Sequence, residues 1–109
     1  MKSPKIIMPL VLAPDLTAGA AVVACAHGSL AGFLVWRADP IVQEWISMTF
    51  NKRIYQAPDL VTWRTVMAWP GALILTESRL GSIPVITVFK PLRWASGNCF
   101  ANLPLYPRP

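Results

Sequence analysis

The sequence predicts a small α/β domain in which a mixed four-stranded sheet is covered by helices on both faces, as a three-layer sandwich. Short apolar runs alternate with segments that carry helix start signals, in the order β-α-α-β-α-β-β. The chain has 109 residues, the length of one domain. Its hydrophobic content of 54% excludes a disordered chain. We therefore expect one domain over residues 1–109, with an extended proline-rich tail from about residue 91.

The first strand and the first helix are predicted from apolar patterning. Residues 5–12 (KIIMPLVL) form a continuous apolar run, which is typical of a strand buried on both faces. Pro9 cannot donate a backbone hydrogen bond and favours an edge or a bulge. Thr17 can cap a helix that runs to about Trp36. Small residues recur at roughly every fourth position of this helix, so we expect one face to lie very close to a sheet or another backbone: Gly19, Ala20, Ala24, Gly28 and Gly32.

The later elements follow from caps and breakers. Asp39 followed by Pro40 is a strong helix start, because it combines an N-cap acid with proline at the first helical position. Asp59 can cap a third helix that ends at Trp69, since Pro70 and the following glycine cannot continue it. The remaining strands are predicted at residues 53–56 (RIYQ), 72–77 (ALILTE) and 84–90 (PVITVFK). The last two are expected to form a hairpin.

The charge is compatible with several partners. Ten Lys and Arg residues stand against five acids, which gives a net charge of +5. Such a balance suits RNA or an anionic membrane surface. The basic residues are scattered along the chain, however, and a solvated surface explains them about as well as an RNA groove does.

The cysteines and the single histidine argue against a disulfide scaffold or a zinc site. Cys25 and Cys99 lie in no CxxC or metal-ligand pattern, and His27 is the one histidine. The sequence also contains no P-loop and no dinucleotide-binding fingerprint. We expect two reduced thiols in a cytoplasmic protein with no metal and no cofactor.

Residues 18–36 carry no formal charge and approach the length of a membrane-spanning helix. Gly28 and Gly32 have the spacing found in packed membrane helices. The upstream stretch, with Lys2 and Lys5 before an apolar run, also has features of a signal peptide. The Pro14-Asp15 pair would place a charge inside such a segment. We therefore expect a helix buried against a sheet rather than a membrane segment.

Several motifs occur in an order that suggests a family. A strand leads to Asp15-Leu16 and to an alanine-rich helix with the triplet Cys25-Ala26-His27. A second helix carries Trp45, a basic and apolar strand follows (Arg53-Ile54-Tyr55), and a later strand ends in the acid Glu77. In these features, over about two-thirds of its length, the chain resembles the peptidyl-tRNA hydrolase 2 family. The resemblance implies that family's α/β sandwich and cleavage of the ester that joins a peptide to tRNA.

The catalytic signature of that family is missing here. The family's first helix begins Gly-Lys-x-Ala-x-Gln, and its Lys and Gln are implicated in handling the ester-linked tRNA end. The corresponding residues 19–24 are GAAVVA, the later acid is Glu77 in place of Asp, and the return loop is shortened to residues 79–82. Ester cleavage needs a positioned base or nucleophile and a group that stabilises an oxyanion. We therefore expect a non-catalytic binding or regulatory module.

Four hypotheses about function remain open. In the first, a binding module contacts RNA or a protein partner through Arg53, Arg64, Arg79, Arg93 and Trp94. In the second, a diverged peptidyl-tRNA hydrolase uses His27 and Glu77 as an acid–base pair, with Thr76 as a candidate nucleophile. In the third, the small-residue helix and the apolar surface drive homodimerisation. The fourth hypothesis is a membrane-associated protein.

Overall fold

The α/β class is confirmed by a computed structural model, which describes residues 5–48 and 50–107, apart from the side chain of Arg79. The described residues form three α-helices and five strands. They follow in the order β1 (Ile6–Leu12), α1 (Ala18–Trp36), α2 (Pro40–Ser47), β2 (Asn51–Gln56), α3 (Leu60–Met67), β3 (Leu73–Glu77), a 3-10 turn (Ser78–Leu80), β4 (Ile83–Val88) and β5 (Leu92–Arg93). Thr17, Asp39 and Asp59 cap the three helices as predicted.

The sheet is mixed and has the strand order β2-β1-β4-β3. Strand β1 pairs in parallel with β2 and antiparallel with β4, and β3 and β4 form the predicted antiparallel hairpin. The prediction of four strands was wrong, because the two-residue β5 also pairs with β1. Strand pairing stops after β4, in the segment that contains Pro91. Leu92–Arg93 then pair with Ile7 and Ile6 of β1.

Pro9 lies in the central strand, at the point where β1 changes its pairing partner. The residues before it pair with β5, and Leu10 to Leu12 pair with β4. The carbonyl of Pro9 accepts a hydrogen bond of 3.1 Å from Phe89 N–H in this interruption. The missing N–H therefore falls at an irregular part of the ladder, in keeping with the preference expected of proline.

Strand β1 separates two apolar clusters and thereby positions the layers. Met8, Leu10 and Leu12 pack on the face covered by α1 and α2. Val11 and Ala13 pack on the opposite face, against α3 and the C-terminal segment. Every residue of β1 is buried, as the continuous apolar run predicts.

Helix α1 contacts the sheet through its small residues. The predicted close approach is confirmed for Ala24, Gly28 and Gly32, which are buried together with Ala21. Gly19, which was predicted for the same face, is exposed. The remaining faces differ from the prediction of a buried helix. Val22, Val23, Leu30, Leu34 and Val35 are all exposed.

By length and composition, α1 could cross a membrane: its mean hydropathy is 1.7, and 22% of the span is buried. Core helices and signal sequences pass the same test, so this property does not distinguish between them.

The C-terminal segment is only partly extended, in contrast to the predicted tail. Turns occupy residues 96–97 and 99–102, and Phe100 within them is buried. The chain then runs antiparallel along β2, where Gln56 N–H donates to the Pro104 carbonyl at 3.0 Å and Tyr106 N–H donates to the Ile54 carbonyl at 2.9 Å. This segment covers the edge of the sheet that β2 would otherwise expose.

Candidate functional site

The three predicted catalytic residues do not line one common cavity. Glu77 ends β3 and borders a shallow cavity of about 210 Å³ together with Gly19, Ala20, Val23 and Leu80. His27 is exposed on α1, one helical turn beyond Val23, or about 6 Å along the axis. Thr76 is exposed and does not line that cavity in the described part of the chain.

Basic residues collect at one end of the sheet, where β1 and β2 begin and β5 ends. Arg53 lies beside Pro9 and Lys52 beside Met8 in the parallel pairing of β1 and β2. Arg93 pairs with Ile6, and the carbonyl of Lys5 accepts a hydrogen bond of 2.8 Å from Trp94 N–H. Four basic residues that are scattered in the sequence therefore lie in this part of the sheet, on both of its faces: Lys5, Lys52, Arg53 and Arg93.

Arg53 and Trp94 form a stacked pair on the α3 face of this end. The Arg53 guanidinium carbon lies 4.9 Å from the centre of the Trp94 ring. Arg53 is exposed, and Trp94 is half-buried. A guanidinium above an indole is a cation–π contact, and the guanidinium can stack on a further aromatic ring.

Phe100 holds Trp94 in place from the side of the core. The two rings stack with centroids 5.8 Å apart and an interplanar angle of 22°. Phe100 also stacks on Tyr55, with ring centroids 5.9 Å apart. Phe89 and Trp69 contact Phe100 in T-shaped arrangements, with centroid distances of 5.2 and 5.5 Å. Such aromatic pairs are each worth about 0.5–1.5 kcal/mol beyond their buried area. Trp94 therefore projects from a fixed aromatic cluster.

A cavity of about 330 Å³ adjoins this pair. Arg53, Tyr55 and Trp94 line it from the sheet, and the turn at residues 95–98 and Leu105 line it from the C-terminal segment. Burial raises the pKa of Tyr55, against a smaller lowering by the hydrogen bond with Arg53. The cavity thus joins a cation, the three aromatic rings of Tyr55, Trp94 and Phe100, and a loop that carries several backbone groups.

The other predicted contact residues are dispersed. Arg93 lies on the α2 face, where its Nη2 donates to Glu44 Oε2 at 2.7 Å. Arg64 is exposed on α3. The side chain of Arg79 lies outside the described residues, although its backbone belongs to the 3-10 turn. Among the predicted contact residues, Arg53 and Trp94 are the two that share the cavity beside β2.

Lys52 is a site residue that the sequence analysis did not single out. Its Nζ lies 4.6 Å from the centre of the Phe50 ring and 5.4 Å from the Trp45 ring. Partial burial lowers the pKa of this ammonium. The sequence prediction began this strand at Arg53 and placed Lys52 at the end of the second helix, whereas β2 begins at Asn51. The aromatic partners of Lys52 become apparent only in the folded chain.

A larger cavity of about 510 Å³ lies between α1 and the end of α3. Its lining is mostly apolar, and the sequence analysis did not predict it. It is lined by Trp36, Trp69, Pro70, Gly71, Phe89, Lys90, Leu92, Cys99 and Phe100.

Both cysteines are free thiols. Cys25 is half-buried, and burial raises its pKa, whereas Cys99 is exposed in the larger cavity. The residues described contain no cluster of three or more His, Cys, Asp or Glu side chains that could hold a metal ion.

Comparisons with known proteins do not identify a relative. No family model matches the chain, and no curated protein matches it. The resemblance to the peptidyl-tRNA hydrolase 2 family therefore remains a prediction from the sequence.

Proposed function

We propose that this chain is a cytoplasmic RNA-binding module on a scaffold similar to that of the peptidyl-tRNA hydrolase 2 family. It holds a short single-stranded segment of RNA and does not cleave an ester. The observation that carries the proposal is the Arg53 guanidinium stacked on Trp94 beside an open cavity, at the end of the sheet where basic residues collect.

The chemistry of this surface suits a single strand. An unpaired base can stack on an indole or on a guanidinium plane, and such stacking contributes about 1–3 kcal/mol per base. Lys5 and Arg53 are exposed and can neutralise phosphates. Asp39 and Glu44 are engaged by Lys90 and Arg93, so these acids do not face the Arg53–Trp94 pair.

The surroundings of Glu77 support a function without catalysis. The other described residues that line its cavity are Gly19, Ala20, Val23 and Leu80. Their side chains supply no cation, imidazole or hydroxyl. The side chains that line this cavity include neither the lysine nor the glutamine of the family's signature.

The test is equilibrium binding of a fluorescent, unstructured RNA oligonucleotide at several salt concentrations. We expect Trp94→Leu to weaken binding about tenfold or more through lost stacking. Arg53→Gln should weaken it and reduce the slope of log affinity against log salt by about one. Arg37→Gln is the matched control, because Arg37 is an exposed arginine at the end of α1, on the face of the sheet opposite the Arg53–Trp94 pair.

Two results would contradict the proposal. One is equal RNA affinity for the wild type and both variants, with circular dichroism showing that all are folded. The other is turnover of an N-blocked aminoacyl-tRNA that falls in both His27→Ala and Glu77→Ala. That second result would establish the diverged hydrolase instead.

The exposed face of α1 favours a second function, self-association. Val22, Val23, Leu30 and Leu34 present an uncharged apolar surface along the helix. The small residues predicted to drive a dimer face the sheet instead, so the interface would use these larger side chains. We propose an isologous homodimer through this face, with the RNA surface outside it.

A further inference from the structure

We propose that the cavity of about 510 Å³ beside Lys90 is a binding site for a small planar aromatic molecule that carries a negative charge, such as an aromatic carboxylate. The site shares the buried Phe100 with the cavity beside Arg53 and Trp94, and none of its other lining residues lines that cavity.

The cavity exists because the sheet is incomplete at this point. Strand β3 pairs with β4 only as far as the Leu73–Val88 pair. In the described chain, Phe89 to Leu92 therefore have no neighbouring strand on that side. The chain after α3 turns at Pro70 and Gly71, and both residues line this space.

Aromatic rings from both layers line this space. Trp36 packs against the apolar cluster on the α1 face, and Trp69 packs against the cluster on the α3 face. Phe89 and Phe100 are buried residues of the second cluster. A planar ring placed between two tryptophans gains both apolar burial and offset stacking. The volume falls within the range of small-molecule sites.

Among the described residues that line the cavity, Lys90 is the one with a charged side chain. Lys90 supplies an ammonium, which is exposed and bound to Asp39 Oδ2 at 2.7 Å. Within the described residues, Trp45 donates its indole N–H to the Asn51 carbonyl, but no protein acceptor is found for the indoles of Trp36 and Trp69. A ligand that brings acceptors and a negative charge would complement these donors.

Asp39 competes with such a ligand for Lys90. The Lys90–Asp39 pair is exposed, so its own contribution to stability is small and it exchanges readily. Asparagine caps helices about as well as aspartate does, so Asp39→Asn keeps the N-cap of α2 and removes the competing charge. This variant should therefore bind an aromatic anion more tightly than the wild type does.

Cys99 provides a direct reporter of occupancy. It lines the cavity and is exposed, whereas Cys25 lies elsewhere and is half-buried. The probe is naphthalene carboxylate, with naphthalene methanol as its uncharged control. We expect the carboxylate to slow alkylation of Cys99 by iodoacetamide about tenfold at saturation, since solvent access is lost, and to leave the rate at Cys25 unchanged.

The dissociation constant of the carboxylate, measured by tryptophan fluorescence, separates charge from stacking. Lys90→Met should weaken the carboxylate about three- to tenfold and leave the methanol unchanged, because only the charged hydrogen bond is lost. Trp69→Leu should weaken both compounds. Arg93→Met is the control. It breaks the neighbouring ion pair with Glu44, and Arg93 does not line the cavity.

Unprotected Cys99 at saturating carboxylate would overturn the proposal. Equal affinities of the carboxylate and the methanol would also overturn it, as would unchanged carboxylate binding in Lys90→Met and Trp69→Leu. Loss of RNA binding in Trp94→Leu has no bearing on these results, so the two proposals fail or stand independently.

Discussion

At the scale of single residues, Gly28 sets the distance between α1 and the sheet. A Cβ atom at Gly28 would lie 2.9 Å from Val88 Cγ2 and 3.2 Å from Ile86 Cδ1. Both neighbours are buried and β-branched, so they have little freedom to move. The helix must therefore shift away from the strands if any side chain is introduced at this position.

We predict that Gly28→Ala lowers the free energy of unfolding by about 1–2 kcal/mol, because overpacking outweighs the better helix propensity of alanine. The control is Gly19→Ala in the same helix, where no atom lies within 4 Å of the added Cβ. That variant should gain about 0.5 kcal/mol. Urea unfolding of both variants measures the difference, and a stabilised Gly28→Ala would contradict the close packing.

The hydroxyl of Thr87 is a buried polar group in strand β4. The side chain is fully buried, and Oγ1 has no hydrogen-bond partner among the described residues. Burial of an unsatisfied hydroxyl costs about 1–3 kcal/mol. We expect Thr87→Val to raise the unfolding free energy by about 1 kcal/mol. In Thr65→Val, by contrast, an exposed hydroxyl that donates to the Val61 carbonyl is lost, so no such gain is expected. Equal effects of the two changes on the thermal midpoint would disprove the assignment.

At the scale of elements, the helices begin where local chemistry places them. Thr17, Asp39 and Asp59 accept hydrogen bonds from backbone N–H groups two or three residues ahead. Because a cap acts within one turn, the sequence predicts each helix start to within a residue. The same caps make the stability of α2 and α3 depend on pH.

The pKa of Asp39 is lowered first by its hydrogen bond with Lys90 and then by the Ile41 N–H, and that of Asp59 by the Thr62 N–H. Because the pKa of each carboxyl is lower in the folded protein, the unfolded chain binds more protons in acid. The contribution of each carboxylate to the free energy of unfolding is therefore complete above about pH 4, and it is lost as the pH falls through the pKa of the folded state. We predict that the urea midpoint of Asp39→Asn/Asp59→Asn falls less than that of the wild type between about pH 5 and pH 2.5. Parallel acid titration curves would show that neither carboxylate is linked to folding.

Other elements could not be predicted, because they depend on distant partners. Strand β5 has two residues and follows Pro91, and it exists only because β1 offers a free edge beside Ile6. Arg53 and Trp94 were each predicted to contact a partner, but their stacking requires β2 and β5 to flank the same strand. The cavity between Trp36 and Trp69 depends on where β3 begins, and no local pattern encodes that position.

At the scale of the whole molecule, the exposed face of α1 is the feature that the fold leaves uncovered. Val23, Ala26 and Leu30 follow one another at helical spacings of three and four and are all exposed. This spacing forms an apolar seam of the kind that packs against a second helix. The seam carries no charge, so two copies can meet without burying an ionised group. A second copy in antiparallel orientation would place the two helix centres, near His27, opposite each other.

We predict that the wild type sediments at about twice its monomer mass of 12.0 kDa and that Leu30→Glu sediments as a monomer, because two glutamates would be buried in the interface. Leu60→Glu is the matched control. Leu30 and Leu60 are both 59% exposed, but Leu60 lies on α3, on the other face of the sheet. It should therefore leave the dimer intact. A monomeric wild type that floats with phospholipid vesicles would instead assign the α1 face to a membrane surface, and loss of the dimer in both variants would show that the interface is not α1.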